Sequence, residues 1–330
     1  MAKQPPEIVG NWVSYRKDIR VVDCTIRDGG LMNDSNFDDA TVRAVYDACV
    51  AAGIDYMEIG YKNAQRLFSP DKYGKWRHCH EDDIRRIVGD NDTSLKLAVM
   101  ADAEKCDYHT DILPKEQSPL SLIRVAAYIH QIPLALDMIK DAHDKGYETT
   151  LNLMAASIVQ ESEMDEALEL FGQSEATCVY LVDSFGHFHT LGVRELVGRY
   201  LRHAKPSGKD VGIHAHNNLQ LAFANTIEAA MMGASYLDAT MGGLGRGAGN
   251  CPMELLLGFL HNPRYRLRPV LECVGNTIEP MRAELGWGFD LPYMVNGFLN
   301  RHPRSAMRFL AQSKEEQNIL EYYDRELTGE

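Results

Sequence analysis

The chain has 330 residues, 45% of them hydrophobic and 25% charged, and a net charge of −13. That length suits one barrel-sized enzyme and buries most of its apolar surface without disulfide staples. The acidic balance excludes a broad nucleic-acid surface, which needs a basic face, but not an anionic substrate in a pocket where an Arg or a cation reverses the potential.

Residues 1–10 hold two prolines and charges but no apolar core, so no signal peptide is expected there. No apolar run approaches bilayer length, and no membrane partner is expected. Short β-branched or apolar runs follow at 20–26, 56–60, 95–100, 122–126, 149–154, 178–182, 211–215 and 236–239. Their spacing, roughly 25 to 40 residues, is the distance a crossover helix needs between parallel strands. The intervening segments are amphipathic. Residues 38–52 begin acidic and stop at Gly53, and residues 218–232 stop at Gly233, as capped helices do. An open doubly wound sheet is the alternative, but no G-x-G-x-x-G follows the first run. The glycine-rich stretch 242–249 instead follows the eighth, where barrels build anion-binding loops. The expected fold is a (β/α)₈ TIM barrel over 20–265, preceded by a segment 1–19. A helical extension follows over 266–330, read as helices at 270–285, 293–299 and 305–323. The seven cysteines are odd in number and form no C-x-x-C pair, so buried, reduced thiols in a cytoplasmic protein are expected.

In such a barrel the chemistry gathers where the strands end. The first run ends in Arg27 and Asp28, the second in Glu58, the sixth in Asp183 and Ser184, and the seventh in His214 and His216. Residues two apart on a strand share a face, so His214 and His216 can point at one spot. Two neutral imidazoles with the Asp28 carboxylate suit a divalent ion (Mn²⁺, Mg²⁺, Co²⁺ or Zn²⁺); ordinary polar residues at a strand end are the plainer reading. Arg27 either holds a substrate oxyanion or closes a salt bridge at the rim. Glu58 either orients its neighbours or is a buried ion-pair partner. Asp183 is a candidate to hydrogen-bond a ligand histidine.

Three stretches, DCTIRDG at 23–29, VGIHAHNNL at 211–219 and LDATMGGLGRGAGNCP at 237–252, resemble the DRE-TIM metallolyases. That group holds 4-hydroxy-2-oxovalerate aldolase, 3-hydroxy-3-methylglutaryl-CoA lyase and the isopropylmalate and homocitrate synthases. ATCVYLVDS at 176–184 and GAGN at 247–250 are closest to the aldolase branch. The resemblance implies that Asp28, His214 and His216 ligate a divalent metal, with Mn²⁺ or Mg²⁺ foremost. It implies that Arg27 steadies an enolate, that Asn250 lies near metal or substrate, and that Glu58, Asp183, Ser184 and Gly243 line the same mouth. The implied reaction is retro-aldol cleavage of a 4-hydroxy-2-oxo acid to pyruvate and an aldehyde, or its reverse. Acyl-CoA-dependent Claisen condensation and a non-catalytic metal-binding barrel are the alternatives. Expected partners are a small 2-oxo acid, further copies in a homo-oligomer, and an aldehyde dehydrogenase. The aldolase pattern has an acid/base histidine where this chain has Leu31; His187, His189 and Tyr293 are the candidate replacements. The stretch 61–80 reads as a substrate lid or a plain loop, with Lys62, Arg66 or Arg77 meeting an anionic group if it is a lid.

Overall fold

All eight expected strands form, and each pairs in parallel with the next in sequence until the last closes on the first. A computed structural model describes residues 16–329; the expectation for residues 1–10 falls outside them. The strands are β1 Arg20–Asp23, β2 Tyr56–Tyr61, β3 Lys96–Asp102, β4 Leu122–Ala127, β5 Glu148–Leu153, β6 Cys178–Asp183, β7 Asp210–Ala215 and β8 Tyr236–Ala239. The (β/α)₈ barrel is therefore the fold, with helices between strands and further helices after the last. Among the described residues no helix is long and apolar enough to cross a membrane. All seven cysteines are buried and free.

Alternation along the strands sorts the side chains. Val21, Met57, Leu97, Ile123, Leu151, Val179, Ile213 and Leu237 face outward into the layer between sheet and helices. Val22, Tyr56, Ala98, Leu122, Cys178, Tyr180 and Tyr236 fill the lower barrel interior. Gly212 is required there, since a Cβ on it would stand 2.6 Å from the Tyr180 ring. Above that apolar plug the inward positions turn polar and charged: Glu58, Arg124, His214 and Asp238, all buried.

The helix over Asp39–Ala52 forms as expected, with Asp38 accepting the Thr41 N–H at 2.7 Å and Gly53 closing it at φ 74°. Three expectations are corrected. β1 ends at Asp23, and Thr25–Gly29 is a helical turn, begun by the Asp23 carboxylate accepting from the Thr25 hydroxyl and N–H. The helix expected over 218–232 starts only at Ala222, because the Asn217 side chain accepts the Ala222 N–H and holds the preceding residues in a turn. The stretch 305–323 is two helices, Arg304–Leu310 and Ile319–Thr328, the second capped by Asn318. Its apolar face packs with Tyr293 and Phe309 beside the glycine loop.

Candidate metal centre

The helical turn after β1 sets the orientation of Arg27 and Asp28. On a strand, neighbours point to opposite faces; on a helical turn they fan out by about 100°, and both line the cavity at the barrel mouth. β7 then brings in His214, and His216 follows it with ring centroids 5.0 Å apart. Ligand atoms of Asp28, His214 and His216 lie within 4.8 Å of one another, all buried.

Each of the three is prepared for a cation. His214 places Nδ1 2.9 Å from Asp238, whose carboxylate stays ionised: burial alone would raise it, but Arg124 and His214 outweigh that. Nδ1 therefore donates to that carboxylate, and Nε2 is buried without a partner. On His216 the buried, unpartnered atom is Nδ1. Burial drives its basicity far below the usual imidazole range, against the pull of Asp28, so the ring is neutral. Burial would also raise Asp28, but the Arg27 guanidinium, with that of Arg246, holds it below the usual carboxylate range. Two orphaned imidazole nitrogens facing an ionised carboxylate form a donor set that fits a divalent ion.

The carboxylate is held from several sides. Asp28 accepts from Arg27 Nη1 at 2.6 Å, Asn250 Nδ2 at 2.7 Å and the Arg246 backbone N–H at 3.2 Å. The last two come from the glycine loop, tied to the end of β7 by a bridge between His216 and Asn250. Gly245 must lack a side chain: a Cβ would stand 2.6 Å from Asp28 Oδ2 and press on the Asn250 amide.

Beneath the site runs a chain of alternating buried charge. Arg27 Nε donates to Glu58 Oε2 at 2.6 Å, and Arg124 reaches the same oxygen at 3.0 Å. Arg124 Nη2 donates to Asp238 Oδ2 at 2.6 Å, and Asp238 holds His214. Cys24, His214 and Asp238 also cluster at ligand distance. Arg124 donates to both the Cys24 sulfur and Asp238, so that position already holds a cation. The Glu58 alternatives thus resolve to an ion pair that also orients Arg27. One donor of that guanidinium, Nη2, is buried without a partner.

The cavity has a volume of about 300 Å³, and Ser184 and Leu31 line it with the cluster. Glu58, expected at the mouth, lies outside the lining against Arg27 and Arg124, Asn250 stands behind Asp28, and four other expected site residues lie elsewhere. Asp183 accepts the backbone N–H groups of His187 and Phe188, and the role expected of it on a ligand histidine belongs to Asp238. Gly243, at φ 63°, lies under the loop with its carbonyl on the Asn250 N–H. His187 turns Nδ1 to the Gly297 carbonyl at 2.8 Å. Tyr293 packs its ring on Gly247, where only glycine leaves room. None of the four lines the cavity, and neither does His189, which immediately precedes the helix Thr190–Ala204. His187→Gln should leave kcat/KM within about twofold, because a peripheral polar substitution removes no group from the cavity; steady-state rates check it.

Sequence reasoning missed Arg124, Asp238 and Arg246. The first two carried a signal, a charge in the middle of an apolar strand. Arg246 carried little beyond its place in the glycine loop. It donates from Nη2 to the Ser184 carbonyl at 2.5 Å and comes within 3.5 Å of His216 Nε2.

Comparison with known proteins agrees with this architecture. The HMGL-like family model matches residues 18–269. An oxaloacetate decarboxylase of Mycobacterium tuberculosis is 32% identical over 251 residues, 75% of this chain and 71% of that one. A 4-hydroxy-2-oxovalerate aldolase of Carboxydothermus hydrogenoformans is 30% identical over 305 residues, 89% and 88% of the two chains. Among solved structures, the N-terminal domain of a Bacteroides vulgatus protein provisionally named an aldolase is 27% identical. It superposes with a TM-score of 0.75 over 90% of this chain and 98% of that one. The family match spans the barrel and takes in Asp28, His214, His216 and the glycine loop: this chain belongs to the HMGL-like family.

Proposed function

We propose that this protein is a divalent-cation-dependent lyase that cleaves the C3–C4 bond of a 4-hydroxy-2-oxo acid to pyruvate and an aldehyde, or runs the reverse addition. The observation that carries the reading is the convergence, on one cavity, of two orphaned imidazole nitrogens, an ionised carboxylate and the unpartnered Nη2 of Arg27. A bound Mn²⁺ or Mg²⁺, with Co²⁺ and Zn²⁺ as alternatives, supplies a Lewis acid and a template for the adjacent keto and carboxylate oxygens.

The residues supply the rest. Asp28, His214 and His216 hold the cation, and Asp238 fixes the His214 tautomer. Arg27 Nη2 donates to the 2-oxo oxygen as negative charge develops there, and Glu58 keeps the guanidinium from turning away. Asn250 braces Asp28 and offers a buried, unpartnered Oδ1 to the cation or the substrate. As the C3–C4 bond breaks, the 4-hydroxyl loses its proton, the electron pair passes into the enolate, and C3 takes up a proton to give pyruvate. Leu31 cannot move the first proton. Burial holds the cavity phenol Tyr61 up at about 12, and burial with the Arg246 charge holds His302 down at about 3. Neither is a base poised at neutral pH.

That gap favours a second reading, loss of CO₂ from a 2-oxo diacid. Its C–C cleavage reaches the same enolate with no hydroxyl proton to remove. The Mycobacterium tuberculosis relative, named an oxaloacetate decarboxylase, lends it support. A screen with Mn²⁺ or Mg²⁺ over 4-hydroxy-2-oxo acids, oxaloacetate and 2-oxo acid/acyl-CoA pairs separates the readings by their products: aldehyde, CO₂ or free CoA. Exhaustive chelation should lower the rate by at least about 100-fold, since the cation supplies several kcal/mol, and added cation should restore it. Turnover that survives chelation refutes both readings.

A further inference from the structure

Among the cavity's basic residues, Arg77 is buried and has no task in the reactions above. Three basic residues of the stretch 61–80 were candidates for an anionic group, and the structure separates them. Lys62 is buried and paired with Glu81 at 2.8 Å; Arg66 is exposed and paired with Asp107 at 2.7 Å. Arg77 alone of the three lines the cavity. It is only 5% exposed, and among the described residues its side chain makes no hydrogen bond and no ion pair; its Nε is buried without a partner. Asp102, on the same cavity wall, is engaged by Lys105 at 3.3 Å.

Aromatic rings surround Arg77 where a carboxylate would be expected. Its guanidinium carbon lies 4.5 Å from the Tyr61 ring centroid and 5.3 Å from those of Phe68 and Tyr73. Ring faces support a guanidinium without neutralising it, so the full charge and the edge N–H donors stay available. The backbone is anchored for this purpose. Trp76, fully buried, donates from Nε1 to the Phe37 carbonyl at 2.9 Å, and the turn Lys75–Arg77 carries the guanidinium from that anchor. Arg27 also approaches the Tyr61 ring, at 6.0 Å. The two guanidinium groups thus share one aromatic neighbour and can serve the two ends of one short diacid.

We propose that Arg77 is a second anion-binding residue of the cavity, and that the substrate carries a distal carboxylate bound there and retained through the cleavage. The inference rests on the lyase reading and narrows its substrate to 2-oxo acids with a second carboxylate. An ion-paired carboxylate is stabilised in the ground state and resists loss as CO₂, whose departure disperses the charge that Arg77 holds. The group at Arg77 is therefore a bystander, and the aldehyde released bears it.

The test uses binding rather than turnover. The probes are 2-oxoglutarate and 2-oxopentanoate, of equal chain length and differing only in the distal carboxylate. Calorimetric titration of the Mg²⁺-supplemented protein should show 2-oxoglutarate favoured by on the order of 30-fold, as expected for a desolvated charge pair. Arg77→Gln should bring the two within about threefold by weakening 2-oxoglutarate alone, and Arg77→Lys should keep part of the preference. Equal binding of the probes by the unaltered protein overturns the proposal, whatever the variants do. So does a variant that folds, by circular dichroism, and weakens both probes alike. If the preference holds while the product screen finds no cleavage, the lyase reading fails and the anion site stands.

Discussion

Replacing His214 with alanine should abolish measurable cation binding and lower kcat/KM on the order of 10³-fold, the equivalent of about 4 kcal/mol of transition-state stabilisation. The residue contributes one of two orphaned imidazole nitrogens that face the Asp28 carboxylate. Equilibrium dialysis with Mn²⁺ gives the affinity, and rates with the best substrate from the screen give the rest. Asp238→Ala is the informative companion. It leaves all three proposed ligands in place but removes the acceptor that keeps the proton on Nδ1. Affinity should fall about 10- to 100-fold, the usual cost of losing an outer partner of a ligand histidine. A His214→Ala protein that binds Mn²⁺ as the unaltered protein does would remove the cation from this site.

Arg124→Met should lower the free energy of unfolding by about 3–5 kcal/mol, the range for breaking a buried pair from one side. Arg124 is wholly buried, bridges Glu58 and Asp238, and rests 4.4 Å from the Tyr180 ring centroid. Methionine fills much of the volume but leaves two carboxylates in the barrel interior with one cation fewer. Glu58 keeps Arg27, so Asp238 bears most of the change. Its remaining partner is His214, and cation affinity should fall with stability. Urea unfolding followed by tryptophan fluorescence measures the first effect. A loss below about 1 kcal/mol would mean that water enters the interior and takes over the role of the guanidinium.

Much of the site was legible because its residues sit at fixed offsets on regular elements. His214 and His216 are two apart on or just after β7, so the strand period alone makes them converge. The capped helix at 39–52 was legible for the same local reason: Asp38 and Gly53 end it by their own chemistry. The errors also have local causes. Thr25 and Ile26 read as strand from their branched side chains, but the Asp23 carboxylate recruits the Thr25 N–H and hydroxyl and turns the chain into a helix. Asp183 stood at the right strand end to serve a histidine, yet two backbone N–H groups of its own loop claim it. His187 and Tyr293 were candidates from proximity in sequence to site elements, which says nothing about the direction of a side chain in a loop or an appended helix.

From the order of its apolar runs, the spacing between them and the polar residues at their ends, the sequence alone determined the parallel β/α succession and the strand ends where the candidate donors stand. Those features follow from periodicity and chain direction, which are local. Only the tertiary structure decided which charges neutralise one another. Arg124 meets Asp238 across 114 positions, and Asn250 meets Asp28 across 222. It also decided that Lys62 and Arg66 find carboxylates while Arg77, in the same stretch, finds only rings. Ion pairing in a low-dielectric interior depends on distances between distant segments, and closure of the barrel sets those distances.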